Sequence, residues 1–309
     1  MELATVGRSR LKRDRIAAPG GVLVEYAYAD NMKPRTIAFV NGWGTTSYSE
    51  WAKQLRIREH NLLFFNNRGM GNTGLGDGPY LRSCAGDLAM ICARMGIAEI
   101  DLVGHSMGGL IAALFFSEFR QSVAVRSMTF VSSPDGDPLA AFPYRRLLPP
   151  AAVDRMTESL EDGVLSDIAH IIERRRMFEK LAYAATRGIG VNVEERVFSA
   201  LYHNFLSRRK AVAIALNDMR EHGKAIGEGM RQIDVPALIV HGRNDFFVSP
   251  EAARRMHERI NGSRLCFMDR STHAPMFEQP SLFNSMLLSF LAECGPAGAA
   301  AEGSGINNI

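Results

Sequence analysis

A chain of 309 residues, 46% hydrophobic and 22% charged, has the composition of a globular protein and is long enough for one large domain with an insertion or for two domains. The 36 Lys and Arg residues nearly balance the 33 Asp and Glu residues, so the formal charge of +3 gives no indication of a nucleic-acid partner. Apolar runs are shorter than the ~18 residues that a membrane helix needs, so we expect no membrane span and, because the N-terminus is basic without an apolar stretch, no signal peptide.

Strand and helix patterns alternate along most of the chain. Two alternating runs at 11–17 and 22–28, separated by Pro19-Gly20-Gly21, predict an antiparallel hairpin. Short apolar runs predict further strands at 36–40, 61–65, 100–103, 127–131, 235–242 and 264–268. Helical patterns fall at 48–55, 83–95 and 110–116, from 249 onward and at 281–293. This alternation is typical of βαβ units and predicts an α/β fold with a mostly parallel sheet.

The alternation stops between 138 and 231, where helical patterns such as 166–172 and 210–216 replace it. We interpret 138–231 as a helical insertion, the cap, between a first core part at 1–137 and a second at 232–294. The low-complexity segment 295–309 is expected to be a disordered tail. The sequence therefore predicts one α/β core whose substrate choice is set by an inserted cap.

A glycine-flanked serine, Ser106, stands where a predicted strand meets a predicted helix, in Gly104-His105-Ser106-Met107-Gly108. The Gly-x-Ser-x-Gly pattern suits a corner so sharp that side chains two positions either way would collide with backbone. The corner also places the serine at a helix N-terminus, where the Met107 N–H can face a developing oxyanion. Ser106 is thus the candidate nucleophile, and His105 beside it is interpreted as a packing residue.

A serine nucleophile needs a base and a group that holds the base. In α/β folds the reactive groups collect in loops after the carboxyl ends of strands. Asp245 follows the strand that ends at Gly242, and His273 follows the last strand, so these two are the candidate acid and base. Their order along the chain is Ser, Asp, His.

With these motifs, spread from 36 to 293, the chain resembles the α/β-hydrolase-fold superfamily, which implies an eight-stranded, mostly parallel sheet flanked by helices. The resemblance assigns Ser106 as nucleophile, Asp245 as acid and His273 as base. Some relatives carry the acid after an earlier strand, which leaves Asp135 and Asp137 as alternatives to Asp245.

Two further turns resemble motifs of that superfamily. The 41–44 turn, Asn41-Gly42-Trp43-Gly44, matches the oxyanion turn, so the Trp43 N–H would join that of Met107 in the oxyanion hole. Asn41 replaces the usual histidine and can hydrogen-bond in its place. The Gly-rich turn that begins at Asn66 resembles an Asp-x-Arg-Gly-x-Gly turn of the superfamily, with Asn66 in the place of the usual aspartate. Arg68 in this turn is interpreted as structural.

The substrate side of the site is expected to be apolar. Trp43, Phe246, Phe247 and Met276 lie on loops around the predicted site and favour an acyl or hydrocarbon-like group. No cofactor and no metal are expected, since the other histidines follow no ligand spacing. The four cysteines, Cys84, Cys92, Cys266 and Cys294, form no C-x-x-C pair, which predicts reduced thiols and a cytoplasmic location.

These features together predict a serine hydrolase that cleaves a carboxylic ester of a small, largely apolar acyl substrate through an acyl-enzyme. Cleavage of a thioester, a lactone or a carbon–carbon bond next to a carbonyl needs the same three residues and stays open as an alternative. A ligand-binding receptor or scaffold with little turnover is the alternative from another class, since fold does not fix function. The expected partner is a small-molecule substrate, and the sequence does not indicate an oligomeric state.

Overall fold

A single sheet organises the computed structural model, which describes residues 11–136, 207–245 and 247–295. Its strands are β1 (Leu11–Ala17), β2 (Leu23–Ala29), β3 (Thr36–Val40), β4 (Asn61–Phe65), β5 (Glu99–His105), β6 (Ala124–Val131), β7 (Ala237–Gly242) and β8 (Arg264–Met268). They form an eight-stranded sheet in the order β1-β2-β4-β3-β5-β6-β7-β8. β2 runs antiparallel to β1 and to β4, and the remaining neighbours are parallel. The predicted mostly parallel sheet and the hairpin at its start are confirmed.

Helices cover both faces of this sheet. Those of the described residues are α1 (Ser47–Glu50), α2 (Tyr80–Met95), α3 (Met107–Phe119), α4 (Arg209–Gly229), α5 (Pro250–Arg259), α6 (Pro275–Glu278) and α7 (Pro280–Glu293). Short 3-10 turns occupy Pro19–Gly21, Gln54–Arg56 and Met230–Gln232. α2, α3, α4 and α5 pack on one face, and α7 packs on the other.

Strand β3 shows how the sheet feeds two cores. All five of its residues are buried. Ala38 and Val40 point into the core beneath α2 and α3, whereas Ile37 and Phe39 point into the core beneath α7. Because side chains alternate across a strand, a strand buried on both faces needs apolar side chains in succession, which is why the run after Thr36 is apolar at every position.

The helix predicted at 48–55 is wrong as one continuous element. The structure has α1, which ends at Glu50, and a separate 3-10 turn at Gln54–Arg56. The chain leaves helical geometry at Trp51 (φ −101°, ψ 16°), whose side chain is completely buried in the core beneath α7. Burial of the indole therefore overrides the local helical pattern.

Helix α2 begins at Tyr80, three residues before the predicted start at Ser83. Its first turn is held by long-range bonds: the Leu81 N–H donates to the Asp218 carboxylate at 2.8 Å, and the Tyr80 hydroxyl donates to the Arg68 carbonyl at 2.7 Å. An acidic group that satisfies a free N–H at a helix start stabilises that start.

Helix α4 lies within the range predicted as the cap. It runs from Arg209 to Gly229, well beyond the predicted 210–216, and it buries Ala215, Leu216 and Met219 in the core shared with α2 and α3. Residues 138–206 of the predicted cap, and 296–309 of the predicted tail, lie outside the described residues. The extent of the cap stays a prediction.

Candidate active site

Ser106 occupies the corner between β5 and α3 in a strained conformation, with φ 52° and ψ −123°. Positive φ is uncommon outside glycine and persists where surrounding contacts impose it. The corner is held from β6: the Ser106 N–H donates to the Val131 carbonyl at 2.8 Å, and the Ser133 hydroxyl donates to the Ser106 carbonyl at 2.9 Å. The strain turns a partly exposed hydroxyl outward at the helix N-terminus.

The two flanking glycines are required by close backbone approach. A Cβ on Gly104 would lie 2.4 Å from the Gly108 carbonyl oxygen, and a Cβ on Gly108 would lie 2.4 Å from the Val40 oxygen. Both distances are far below van der Waals contact. These are the backbone collisions that the Gly-x-Ser-x-Gly pattern predicts.

His273 and Asp245 meet in space although they lie on different loops. His273 Nδ1 lies 2.9 Å from Asp245 Oδ2 in a hydrogen bond. The other ring nitrogen, Nε2, takes no part in this bond. The Asp245 side chain is fully buried, while that of His273 is 19% exposed. The pair is thus a buried carboxylate that orients a histidine open to the surface.

Asp245 is held by three hydrogen bonds and a close contact with a second histidine. Its Oδ1 accepts the N–H groups of Phe247 at 2.8 Å and Val248 at 3.0 Å, and its Oδ2 lies 3.2 Å from His241 Nε2 in addition to its bond with His273. Burial alone would raise the pKa of this carboxyl, but His273 and His241 outweigh it and hold the pKa well below its usual range. The carboxylate is therefore ionised at neutral pH.

The alternative acid Asp135 is committed to other partners. Its oxygens accept from Arg255 Nε at 2.7 Å and Nη2 at 3.0 Å, and Arg259 Nη1 lies 3.2 Å away. This carboxylate bonds helix α5 rather than a histidine. Asp137, the other alternative, lies outside the described residues.

The 41–44 turn lies directly against Ser106. A Cβ on Gly42 would lie 3.3 Å from the Ser106 Cβ, so the N–H groups of Trp43 and Met107 belong to adjoining backbone. Asn41 is fully buried and braces the turn: its Nδ2 donates to the Thr45 carbonyl at 2.8 Å, and its Oδ1 accepts from the Ser47 hydroxyl at 3.0 Å. An asparagine thus bridges the turn by hydrogen bonds.

Sequence reasoning missed a buried pair of a glutamate and a histidine behind this turn. Glu50 Oε1 lies 3.1 Å from His105 Nδ1, and both side chains are almost fully buried. The sequence pattern indicates only a packing role for His105, and Glu50 falls inside a segment whose pattern predicts only a helix. No sequence spacing could have found the pair, because the fold brings together a helix and a strand end.

The predicted substrate-binding residues are placed differently from one another. Phe247 is 36% exposed and its ring centroid lies 5.2 Å from that of His273, while Trp43 is partly exposed and its Nε1 donates to the Val212 carbonyl at 2.8 Å. Met276 is only 1% exposed and packs in the core beneath α7, so a substrate contact for it stays a prediction. Phe246 lies outside the described residues.

Arg68 has the structural surroundings expected from the sequence. Its guanidinium makes a two-bond contact with the buried Asp87 carboxylate, at 2.8 Å and 2.9 Å. The side-chain oxygen of Asn66 accepts the Ser47 N–H at 2.9 Å, at the start of α1. Both residues tie the loop after β4 to neighbouring helices.

The described residues contain neither a cluster of metal ligands nor a membrane-spanning helix. There, no group of three or more His, Cys, Asp or Glu residues could hold a metal ion. None of the helices in that part of the chain is both long and apolar enough to cross a bilayer.

The sequence matches the family model of the alpha/beta hydrolase fold over residues 35–280, which is more than half of the chain. The chain belongs to this alpha/beta hydrolase family. The expected superfamily is therefore confirmed, and the match spans the Ser106, Asp245 and His273 positions.

Curated relatives include 2-hydroxy-6-oxononadienedioate/2-hydroxy-6-oxononatrienedioate hydrolases. The one from Burkholderia vietnamiensis (strain G4 / LMG 22486) is 24% identical over 207 residues, which cover 66% of this chain and 66% of that protein. The one from Klebsiella pneumoniae subsp. pneumoniae is 26% identical over 208 residues, with the same shares covered. The chain thus spans just under two thirds of the length of these relatives.

Solved structures of the same fold include an esterase from Exiguobacterium antarcticum, with a TM-score of 0.71 and 19% identity, covering 90% of this chain and 98% of that one. A meta-cleavage product hydrolase from Pseudomonas fluorescens IP01 has a TM-score of 0.69 and 18% identity, covering 91% and 98%. These likenesses show the fold. Together with the family match, the relatives support a hydrolase.

Proposed function

We propose that this hydrolase is a serine esterase that cleaves carboxylic esters of small, largely apolar acyl groups through an acyl-enzyme. The observation that carries the proposal is the 2.9 Å bond between the buried Asp245 carboxylate and His273 Nδ1, in a protein whose Ser106 stands strained at a helix N-terminus. A carboxylate, an imidazole and a hydroxyl in this relation are the parts that nucleophilic acyl transfer needs.

Each part has one role in the proposed reaction. His273 takes the proton of the Ser106 hydroxyl as the oxygen attacks the ester carbonyl, and it later returns that proton to the leaving alcohol. Asp245 fixes the tautomer of His273 and stabilises the imidazolium that forms. The N–H groups of Met107 and Trp43 stabilise the oxyanion of the tetrahedral intermediate. Water, activated by His273, then hydrolyses the acyl-enzyme.

The preference for an apolar acyl group rests on the side chains beside the candidate base. Phe247 lies against the His273 ring and is partly exposed, and Trp43 follows the glycine that touches Ser106. Burying a few methylene groups against such surfaces stabilises binding by about 0.8 kcal/mol for each CH₂. Longer acyl chains should therefore lower KM.

Carbon–carbon bond hydrolysis is a second candidate, because the curated relatives are named as hydrolases of 2-hydroxy-6-oxo dienedioates. That reaction places a ketone carbon where the ester has its acyl carbon. The same serine, histidine and aspartate would serve it. A substrate panel that contains both bond types separates the two candidates.

The test is pre-steady-state hydrolysis of p-nitrophenyl esters with two to eight acyl carbons, with a 2-hydroxy-6-oxo-dienoate in parallel. We expect a stoichiometric burst of p-nitrophenol that is absent in Ser106→Ala and retained in Ser117→Ala, since Ser117 lies exposed on the same helix α3. A higher kcat/KM for the dienoate than for every ester would favour the second candidate. A burst that survives in Ser106→Ala would contradict both.

A further inference from the structure

The Glu50 side chain accepts hydrogen bonds at both of its carboxyl oxygens. The Gly42 N–H donates to both of its oxygens, at 2.9 Å and 3.1 Å, and the Thr45 hydroxyl donates to Oε2. Glu50 is only 6% exposed. A buried carboxylate with these donors still needs a positive partner, because isolated charges are costly inside a protein.

His105 supplies that partner, since both of its ring nitrogens face groups that only accept hydrogen bonds. Nε2 lies 2.8 Å from the His273 carbonyl oxygen, and Nδ1 lies 3.1 Å from Glu50 Oε1. A neutral imidazole carries one N–H and would turn a lone pair towards one of these oxygens. Nε2 makes a hydrogen bond, whereas Nδ1 has no hydrogen-bond partner and faces Glu50 as a close contact of 3.1 Å, an arrangement that an imidazolium would satisfy.

We propose that His105 and Glu50 form a positioning ion pair for the catalytic residues. The pair joins three segments: Glu50 holds the Gly42 N–H of the 41–44 turn, His105 precedes Ser106 at the corner, and the His105 ring holds the backbone of His273. Loss of one His105 proton leaves a single N–H to serve the His273 carbonyl and Glu50, and it leaves the Glu50 charge unbalanced. This inference rests on the proposed function, because it concerns how the same site is held.

The charged groups around His105 come from three elements. Glu50 faces it from α1, Asp245 from the loop after β7, and His273 from the loop after β8, with the ring centroids of His105 and His273 4.8 Å apart. Burial alone would lower the pKa of His105, but Glu50, the His273 carbonyl and Asp245 raise it above its ordinary value. These groups thus favour the protonated form of His105, which is lost as the pH rises through the raised pKa.

The pair gives expectations that a purely structural role would not give. In Glu50→Gln the counter-charge is removed, so the alkaline fall of kcat should move to lower pH by about 1–3 units, as for loss of an opposite charge. At neutral pH we expect kcat to fall by roughly 100-fold through misplaced groups, with KM little changed. In His105→Gln, whose side chain cannot titrate, the alkaline fall of kcat due to His105 should vanish. The kcat profile should then be lower than in the wild type and flatter at alkaline pH.

Glu25→Gln is the matched control. Glu25 is also a buried glutamate, 8% exposed. Its carboxylate accepts hydrogen bonds from the side chains of Asn66 and Asn72, on the loop after β4, and not from the 41–44 turn. Its loss should lower stability without moving the alkaline limb of kcat.

The experiment is a kcat and KM profile from pH 5 to 10 with p-nitrophenyl acetate for the wild type and these three variants, together with imidazole ¹⁵N spectra of the wild type across the same range. Expected are a doubly protonated His105 at pH 7 and the limb shifts given above. A neutral His105 at pH 7, or an unmoved limb in folded Glu50→Gln, would overturn the proposal. The spectra give their answer even if Glu50→Gln does not fold. Absence of any burst in the wild type would instead refute the esterase, and the ion pair would then be judged by the spectra alone.

Discussion

The Asp245 carboxylate has the most complete set of bonds in the candidate site. It accepts two backbone N–H groups and lies within 3.2 Å of two histidine rings. The backbone bonds fix the position of the carboxylate, and its hydrogen bond to His273 orients the ring of the candidate base. Asp135 has comparable bonds, but they come from arginines.

Replacing each aspartate by asparagine separates the two candidate acids. Asp245→Asn should lower kcat by about 10⁴-fold, because the amide favours the wrong His273 tautomer. Asp135→Asn should keep kcat within about tenfold and lower the free energy of unfolding by about 1–3 kcal/mol, since buried hydrogen bonds to charged groups are lost. Steady-state kinetics and urea unfolding check both. A large kcat loss in Asp135→Asn alone would reassign the acid.

The decrease in the free energy of unfolding at acid pH should depend on the ionisation of Asp245. Its folded-state pKa lies below that of an unfolded aspartate, so the ionised group stabilises the fold fully above about pH 4 and loses this contribution as the pH falls. The free energy of unfolding should therefore drop more steeply below pH 4 in the wild type than in Asp245→Asn. Urea titrations from pH 3 to 6 measure this, and parallel curves for the two proteins would contradict it.

How far single residues could be predicted depends on whether their signal is local. Ser106, Asp245 and His273 each stand in a short motif after a strand, and parallel strands bring such loops to one edge. The Glu50 and His105 pair has no local signal, since it depends on where α1 packs against the end of β5. The partners of Asp135 were hidden for the same reason, because they lie on α5.

Among the secondary-structure elements, the crossing of β5, α3 and β3 determines how close Ser106 can lie to the 41–44 turn. Gly104 meets the backbone of α3, and Gly108 meets the end of β3 at the Val40 oxygen. The helix N-terminus and the turn that supply the proposed oxyanion donors are thus held together by glycine contacts.

Gly108→Ala should damage both stability and activity. The new methyl would meet the Val40 oxygen at 2.4 Å, and because that oxygen belongs to the backbone, α3 or β3 must shift, at about 1–3 kcal/mol for overpacking. We expect kcat to fall with it, since the shift moves the Met107 N–H. Gly86→Ala, inside α2 with its Cβ 3.5 Å from Phe119, is the control and should stabilise by about 1 kcal/mol. Equal effects of the two substitutions on thermal unfolding and kcat would contradict the crossing argument.

The central strands were predictable because most of their residues are apolar and consecutive, as in β3 and β7, where every residue is buried. Helix limits were less predictable, because tertiary bonds determine them. The start of α2 depends on Asp218 of α4, and the break after α1 depends on burial of Trp51. Asp218 is far from α2 along the chain, and the burial of Trp51 depends on tertiary packing that a local sequence pattern does not show.

Across the whole molecule, α4 links the predicted cap range to the site. Its Val212 carbonyl accepts the Trp43 indole N–H at 2.8 Å, and a Cβ on Gly69 would lie 2.3 Å from the Ala211 Cβ. The start of α4 therefore rests on the 41–44 turn and on the loop after β4. A shift of α4 should therefore move the Trp43 side chain, which is hydrogen-bonded to it.

Trp43→Phe tests this link while keeping the backbone N–H. Losing the bond to Val212 should lower the free energy of unfolding by about 1 kcal/mol. Because the proposed oxyanion donor is the main-chain N–H, kcat for p-nitrophenyl acetate should stay within about tenfold of the wild type. A fall as deep as that of Ser106→Ala would show that the indole itself takes part in the chemistry.

The central claim is that Ser106 is a nucleophile activated by His273, and covalent labelling tests it without knowledge of the natural substrate. A fluorophosphonate probe reacts with an activated serine, and mass spectrometry of the digested protein locates the adduct. We predict one adduct, on the peptide that contains Ser106, absent in Ser106→Ala and formed at least about 10³-fold more slowly in His273→Ala. An unlabelled wild type, or an adduct that forms equally fast in Ser106→Ala, would contradict the account.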